Sequence, residues 1–341
     1  MDITKKDIKT RNKMLRGVNI GGWLVVEKWM TPSLFANSNT TDEYTLSAAD
    51  IGRERLNNHH QTFITEADFR WLAANKIEII RIPFGHWIFG DAEPYVGSIE
   101  RLDWAVQMAT KYNIRVLLDL HAAPGAQNDE HHSGSGQPGK GQRWLKDAED
   151  QQKTIDVLVR IAERYKHESI IWGIQMLNEP SLGKYGLRLT WFYRRAYKAL
   201  TEAARPGTHI VFSDAYAPLL LTNALWLSKR RDFPIVMDCH FYQCFGEENA
   251  DRTIESHIEQ AEKRRWLVRF FSWQQPIIVG EWSTVLQIDP GTDKTLSYAK
   301  AQLRGFTPAE AEFYWNYKTE GTGRWNYRAQ VETGAVRITH T

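Results

Sequence analysis

A repeated alternation constrains the fold of this 341-residue chain more than any other feature: short apolar runs, each followed by a stretch whose apolar residues recur at helical spacing. The runs cover residues 16–20, 77–82, 114–120, 170–177, 209–213, 235–240, 276–282 and 313–317. An apolar run of this length suits a strand covered on both faces of a parallel sheet. Among the intervening stretches, Ile99, Leu102, Val106 and Ala109 share one helical face, as do Ile155, Leu158, Val159 and Ala162. Further stripes are Phe192, Ala196, Ala199, Leu200 and Ala203, then Ile254, Ile258, Ala261 and Val268, and a last helix is predicted around 295–303. Thr65-Glu66-Ala67-Asp68 reads as a helix N-cap with Asp in place of the usual Glu, opening a helix through Trp71 and Leu72. Strand then helix, eight times over, predicts an α/β chain closed into a (β/α)8 TIM barrel. With no Pro- or Ser-rich linker in sight, residues 1–341 are expected to form a single domain with long βα loops.

Composition narrows the partners. The 43 Lys plus Arg nearly balance the 41 Asp plus Glu, for a formal charge of +2, so neither nucleic acid nor an anionic membrane is an expected partner. Cys239 and Cys244 provide no disulfide framework and read as packing residues. Residues 1–14 are charged and lack the apolar core of a secretory signal, and no run is long and apolar enough to span a membrane. A monomer, cytoplasmic as the sequence stands and secreted if a signal was removed, is the expectation. The 14 Trp, 13 Tyr and 14 Phe are a heavy aromatic load, suited to a large core and equally to the C–H faces of sugars.

In a barrel of this kind the loops after the strands build the active site. That places Arg81, His121, Asn178, Glu179, His240, Tyr242, Glu281 and Trp315 around one mouth. Taken singly, each has a plainer reading: a solvated strand end, a satisfied core histidine, a structural ion pair, a barrel plug. Together they describe a chemistry. Two facing carboxylates serve glycosidic cleavage, one protonating the leaving group and the other attacking the anomeric carbon, and their separation decides whether configuration is retained or inverted. Glu179 follows an apolar strand and is expected to keep its proton, as acid/base. Glu281 is expected to be held ionised by an arginine and a tyrosine, as nucleophile.

Two other patterns carry less. His59-His60 and His131-His132 suggest a metal, but adjacent histidines rarely reach one ion and no zinc spacing accompanies them. Solvated loops are expected there, with no metal and no cofactor. Gly134-Ser135-Gly136 and Gly139-Lys140-Gly141 lack the strand and spacing of a phosphate loop and read as flexible parts of the rim.

Longer phrases point to a family. They include Arg16-Gly17-Val18-Asn19-Ile20-Gly21-Gly22-Trp23, Asp42-Glu43-Tyr44, Arg81-Ile82-Pro83, Asp119-Leu120-His121 and Leu177-Asn178-Glu179-Pro180. His240-Phe241-Tyr242, Gly280-Glu281-Trp282-Ser283 and Trp315-Asn316-Tyr317-Lys318-Thr319-Glu320 continue the series in order. On these phrases the chain resembles glycoside hydrolase family 5, and within it the fungal-type exo-β-1,3-glucanases. The resemblance implies a retaining mechanism with Glu179 as proton donor and Glu281 as nucleophile. It further implies that Arg81 supports Glu281, Asn178 bonds the sugar 2-hydroxyl and Tyr242 donates to the nucleophile. His121 and His240 would line the subsite of the attacked sugar, Trp315 would floor it, Glu27 would hold hydroxyls at its far end, and Phe245 would flank the entrance.

There are departures. After Gln127-Asn128 the family pattern continues with Gly, an aromatic, Asp, Asn, Ser and Gly, whereas here the run is Asp129-Glu130-His131-His132-Ser133-Gly134. Tyr317 also stands where the family has a second tryptophan. The expected function is therefore an exo-β-1,3-glucanase releasing glucose from β-1,3-glucan or its oligosaccharides. Two alternatives stay open: a β-glucosidase or diglycosidase acting on aryl or flavonoid β-glucosides, and a glucan-binding protein without catalysis.

Overall fold

The computed structural model describes residues 13–133, 143–182, 186–222, 224–225 and 230–336. Parallel strands β1 (Leu15–Asn19), β2 (Ile79–Gly85), β3 (Arg115–Ala122), β4 (Ile171–Gln175), β5 (His209–Ser213), β6 (Ile235–Phe241), β7 (Ile277–Trp282) and β8 (Ala311–Tyr314) close in chain order, β1 pairing with both β2 and β8. Helices α1 (Glu43–Ser47), α2 (Gly52–Thr62) and α3 (Glu66–Ala74) lie between β1 and β2, and α4 (Ile99–Tyr112) between β2 and β3. Then α5 (Arg143–Lys146) and α6 (Ala148–Arg164) precede β4, α7 (Gly186–Ala203) precedes β5, and α8 (Pro218–Leu221) follows it. Long α9 (Ile254–Gln274) and α10 (Gly291–Phe306) flank β7, and α11 (Tyr327–Glu332) follows β8. This is the (β/α)8 barrel that the alternation predicts.

Strand side chains alternate between two cores. Ile79, Leu117, Val211, Val236, Ile278, Ala311 and Phe313 form one buried cluster, the filling of the barrel. Their neighbours Ile80, Ile82, Val116, Leu118, Ile210 and Met237 belong to the larger cluster beneath the helices. Two residues further along β1, β2, β3 and β6 the inward set turns polar, with Asn19, Arg81, Asp119 and Asp238, all fully buried. A bulge completes the arrangement. β6 and β7 run in step to Cys239 opposite Val279, after which His240 faces Glu281 and Gly280 is the extra residue. The insertion lets Ile278 and Glu281, three positions apart, share the inner side.

Several boundaries differ from the expectation. β2 runs through Pro83 instead of stopping before it, because β1 pairs only up to Arg81 and asks no ladder hydrogen bond of residue 83. β8 begins at Ala311 and ends at Tyr314, so residues 315–317 already belong to the loop above it. The stretch after β1 contains α1 and α2, which the sequence left without structure. His59 and His60 lie buried on α2, not in a solvated loop, and His59 Nε2 is 2.7 Å from the Gly22 carbonyl oxygen. The cap at Thr65 forms as read, its amide donating to Asp68 Oδ2 at 2.8 Å. The glycine-rich stretch at 134–141 lies outside the described residues.

Candidate active site

Arg81 is the hub. Its guanidinium is fully buried on β2, and its fork reaches residues from five other places in the chain. Nε donates to Gln175 Oε1 at 2.9 Å, Nη1 to Asn19 Oδ1 at 2.8 Å and to Glu281 Oε1 at 3.0 Å, and Nη2 to Asn178 Oδ1 at 2.7 Å. Nη2 also lies 3.1 Å from Asp119 Oδ2. These acceptors satisfy a buried cation that would otherwise be very costly. Asn178 keeps one group in reserve, for its Nδ2 is buried with no protein partner.

Above the hub stand the two glutamates. Glu281, Glu179 and His240 each offer an atom to a cluster no more than 4.8 Å across, so the carboxylates face one another over a single small space. Glu281 Oε2 accepts the Tyr242 hydroxyl at 2.8 Å and lies 3.5 Å from His240 Nδ1. The same Nδ1 is 2.5 Å from Glu179 Oε1, while His240 Nε2 is 3.1 Å from Asp238 Oδ2. Burial disfavours the imidazolium, but Glu281, Asp238 and Glu179 together hold His240 well above the usual histidine range.

The resulting proton distribution corrects the sequence expectation. Burial pushes Glu179 up, but the charge and hydrogen bond of His240 overcome it and leave Glu179 below the usual carboxylate range. For Glu281 burial prevails: it sits above its usual range, with Glu179 adding to the rise and His240 and Arg81 opposing it. In the unliganded site the proton expected on Glu179 rests on the neighbouring imidazole, one short hydrogen bond away.

The remaining predicted residues surround this centre. His121 Nδ1 is 2.7 Å from Asp119 Oδ2, and the ring lies flat on Trp315, centroids 5.4 Å apart and 7° between planes. Glu27 is buried, which lifts it to about 7, and its Oε2 accepts the Trp29 indole N–H at 2.9 Å. Trp29 leads to Trp325 at 5.3 Å between centroids, Trp325 to Tyr242 at 5.8 Å, and Tyr242 to Phe245 at 5.4 Å. All ten residues singled out in the sequence therefore meet at one end of the barrel.

Others at this mouth escaped notice. Asn19, Asp119, Gln175 and Asp238 sit one or two residues before the expected strand ends, where strand alternation places them on the inner face. Trp29, Trp325 and Tyr216 come from loops, where no periodicity marks them. His132, expected in a solvated loop, is mostly buried instead. It stands 5.1 Å from the His121 ring and 3.7 Å from Glu179 Oε2, accepts from Asn128 Nδ2 at 2.8 Å, and is driven by burial to about 3, so it is neutral.

Glu179, His240 and Glu281 have the residue types and spacing to reach one metal ion. The chemistry around them disfavours that use. Arg81 is already the cation on Glu281, and the donor atoms of Glu179 and His240 are engaged with each other.

A closed (β/α)8 barrel with two carboxylates facing across the mouth defines a glycosidase of the O-glycosyl hydrolase class. The Cellulase (glycosyl hydrolase family 5) profile matches residues 41–318, and the chain belongs to that family, whose members are retaining enzymes. It is 30% identical to the probable glucan 1,3-beta-glucosidase A of Aspergillus fumigatus over 95% of this chain and 87% of that protein. With the glucan 1,3-beta-glucosidase of Kluyveromyces lactis it shares 29% identity over 98% and 91%. Among solved structures, the rutinosidase from Aspergillus niger superposes with a TM-score of 0.81 at 19% identity, covering 95% of this chain and 98% of that one. An endoglucanase from the hyperthermophilic Thermotoga maritima gives 0.62 at 16%, covering 93% and 96%. At such identities the structures speak to fold alone.

Proposed function

We propose that this enzyme is an exo-acting β-1,3-glucanase that removes glucose from the non-reducing end of β-1,3-glucan and its oligosaccharides. The observation that carries the reading is the pair formed by Glu179, in the loop after β4, and Glu281, on β7, with acceptor atoms within 4.8 Å of each other. A gap of that order suits direct attack on the sugar, since inversion needs roughly 6.5 to 9.5 Å to admit a water. Two relatives of nearly full coverage, both named for glucan 1,3-beta-glucosidase activity, favour the substrate. Buried Glu27, with Trp29 against it, supports a site closed beyond the terminal sugar, as exo action requires.

In the proposed mechanism Glu281, steadied by Arg81 and Tyr242, attacks the anomeric carbon while the glycosidic C–O bond breaks. Glu179 takes the proton from His240 across their 2.5 Å hydrogen bond and delivers it to the departing oxygen, which leaves Glu179 a carboxylate and His240 neutral. The product is a glycosyl ester on Glu281. Glu179 then deprotonates a water that attacks the same carbon, and β-glucose leaves with its configuration retained. Asn178 Nδ2, buried and without a protein partner, is placed to bond the sugar 2-hydroxyl, and Trp315 with His121 supplies a flat floor.

Replacing Glu281 with Gln should lower turnover of an aryl β-glucoside by about 10³-fold or more. Wild-type enzyme on laminarin should release β-glucose first, followed by chromatography and proton NMR. A ladder of longer oligosaccharides would reject exo action, and undiminished turnover by Glu281→Gln would reject the nucleophile. A second reading, hydrolysis of flavonoid diglycosides, is favoured by one observation: His132 enters the pocket where the family's loop carries other residues. Side-by-side rates on laminaribiose and a flavonoid diglycoside separate the two.

A further inference from the structure

We propose that Asp238, on β6, is a positioning residue for the acid/base: its carboxylate keeps a hydrogen on His240 Nε2, so that the proton free to move is the one on Nδ1, shared with Glu179. This rests on the reading of Glu179 as acid/base.

Every donor around Asp238 can be assigned. The carboxylate is fully buried. Its Oδ1 accepts the Gly280 amide at 2.7 Å, while Oδ2 accepts Gln175 Nε2 at 2.8 Å and lies 3.1 Å from His240 Nε2. The Gln175 amide has only one orientation, because its Oε1 accepts Arg81 Nε at 2.9 Å and a guanidinium only donates. Arg81 Nη2 stands 3.9 Å from the same Oδ2. A carboxylate ringed by fixed donors is ionised: burial opposes its charge, but His240, Arg81 and Gln175 draw Asp238 below its usual range. An ionised carboxylate accepts and never donates, so His240 Nε2 carries a hydrogen.

That leaves Nδ1 as the variable site. It lies 2.5 Å from Glu179 Oε1 and 3.5 Å from Glu281 Oε2. With Nε2 keeping its hydrogen, the ring alternates between imidazolium and one neutral tautomer, and the two differ by a single proton at Nδ1. As the glycosidic bond breaks, that proton passes to Glu179 and from Glu179 to the leaving oxygen, which takes the bonding electrons. Glu179 ends as a carboxylate and His240 neutral. In the second half Glu179 takes a proton from water and returns one to Nδ1, while the water oxygen bonds the anomeric carbon and the ester bond to Glu281 breaks. The starting state is restored. Asp238 neither gains nor loses a proton, and its constant charge favours the imidazolium that stores one.

The test is Asp238→Asn. The Gly280 amide can only donate, so the oxygen of the new side chain must stay on it, which turns the NH2 group toward His240 Nε2 and makes that nitrogen the acceptor. The ring hydrogen then sits on Nδ1, where giving it up would leave an imidazolate, and Glu179 loses its supply. Bond breaking is read by kcat/KM, taken at the pH optimum of each enzyme across β-glucosides of graded leaving-group basicity. For 2,4-dinitrophenyl β-glucoside, whose leaving group departs without a proton, the variant should match wild type. For phenyl β-glucoside and laminaribiose it should fall by about 10²-fold, the lower end for general acid catalysis. The tautomer itself is read from nitrogen-15 and proton correlation spectra of the histidine rings, the His240 signal being assigned by its loss in His240→Asn. Nε2 should carry a hydrogen in wild type and lack it in Asp238→Asn. A wild-type ring without that hydrogen overturns the proposal even if the variant fails to fold, and so does a uniform loss, or none, across the series. Glu179→Ala in the same series separates the two layers. A leaving-group-dependent loss there with none in Asp238→Asn rejects Asp238 alone, while no dependence in Glu179→Ala rejects the acid/base reading and this proposal with it.

Discussion

Single residues here act through the charges around them. Glu281 would be an ordinary surface carboxylate were it not buried beside Glu179, and the imidazolium of His240 is what keeps its rise in check. Attack requires the ionised form, so kcat/KM should climb with pH as Glu281 loses its proton, with a midpoint above the usual carboxylate range. Replacing His240 with Asn removes a positive charge near Glu281 and favours its protonated form further. The acid limb of His240→Asn should therefore move to higher pH, measured on an activated aryl β-glucoside that needs no acid catalyst. A limb that stays in place would show that His240 carries no charge in the free enzyme. Residue identity shows which groups gather, but burial and neighbours draw Glu179 down and Glu281 up, the opposite directions to those expected. The expectation weighed Arg81 and Tyr242 against an apolar strand, and the 2.5 Å contact between His240 and Glu179 could not be seen from residues 61 positions apart.

At the scale of elements, the β7 bulge sets which way Glu281 points. Gly280 is the extra residue, and its amide donates to Asp238 Oδ1 at 2.7 Å. A Cβ built there would lie 2.1 Å from that oxygen, too close for any side chain without moving β6 or β7. Gly280→Ala should cost about 1–3 kcal/mol of stability, read by denaturant unfolding, and should lower aryl glucosidase activity by displacing Glu281. Gly323→Ala is the matched control, because nothing lies within 4 Å of a Cβ there, and both quantities should stay at wild-type values. The apolar run 276–282 was legible as a strand, yet period-2 alternation alone would put Ile278 and Glu281 on opposite faces. Only the pairing with β6 shows the slipped residue. Pro83 teaches the same lesson in reverse: a residue that reads as a stop is tolerated where the neighbouring strand has already ended.

Across the molecule, buried histidines and buried carboxyls pull the pH dependence of the fold in opposite directions. Desolvation lowers His59 and His86 to about 4 and His60 and His132 to about 3, and draws His209 and His257 down as well. Each such group takes up its proton more readily when unfolded, so their combined stabilisation is complete above the unfolded histidine range and is lost progressively as pH falls below about 6.5. Raised groups have the opposite sign: His240, and the buried carboxyls of Glu27 and Glu312 at about 7, Glu43 at about 8 and Asp214 at about 6, hold protons that the unfolded chain has lost and so favour the fold as pH falls. The change in melting temperature from pH 7 to pH 5 is thus a balance of the two sets, and His60→Gln, which removes one histidine contribution, should make the melting temperature at pH 5 higher relative to that at pH 7 than in wild type; an unchanged difference would show that the buried ring already carries a proton. By itself the sequence determined the barrel and its mouth, because eight apolar runs of strand length and their intervening helical stripes admit few other closures, and strand ends on one rim must converge. The tertiary structure alone decided the hub around Arg81, the register of Glu281, and the burial of His59 and His60. Those depend on contacts between residues distant in the chain, where a hydrogen bond or a one-residue slip leaves no periodic trace.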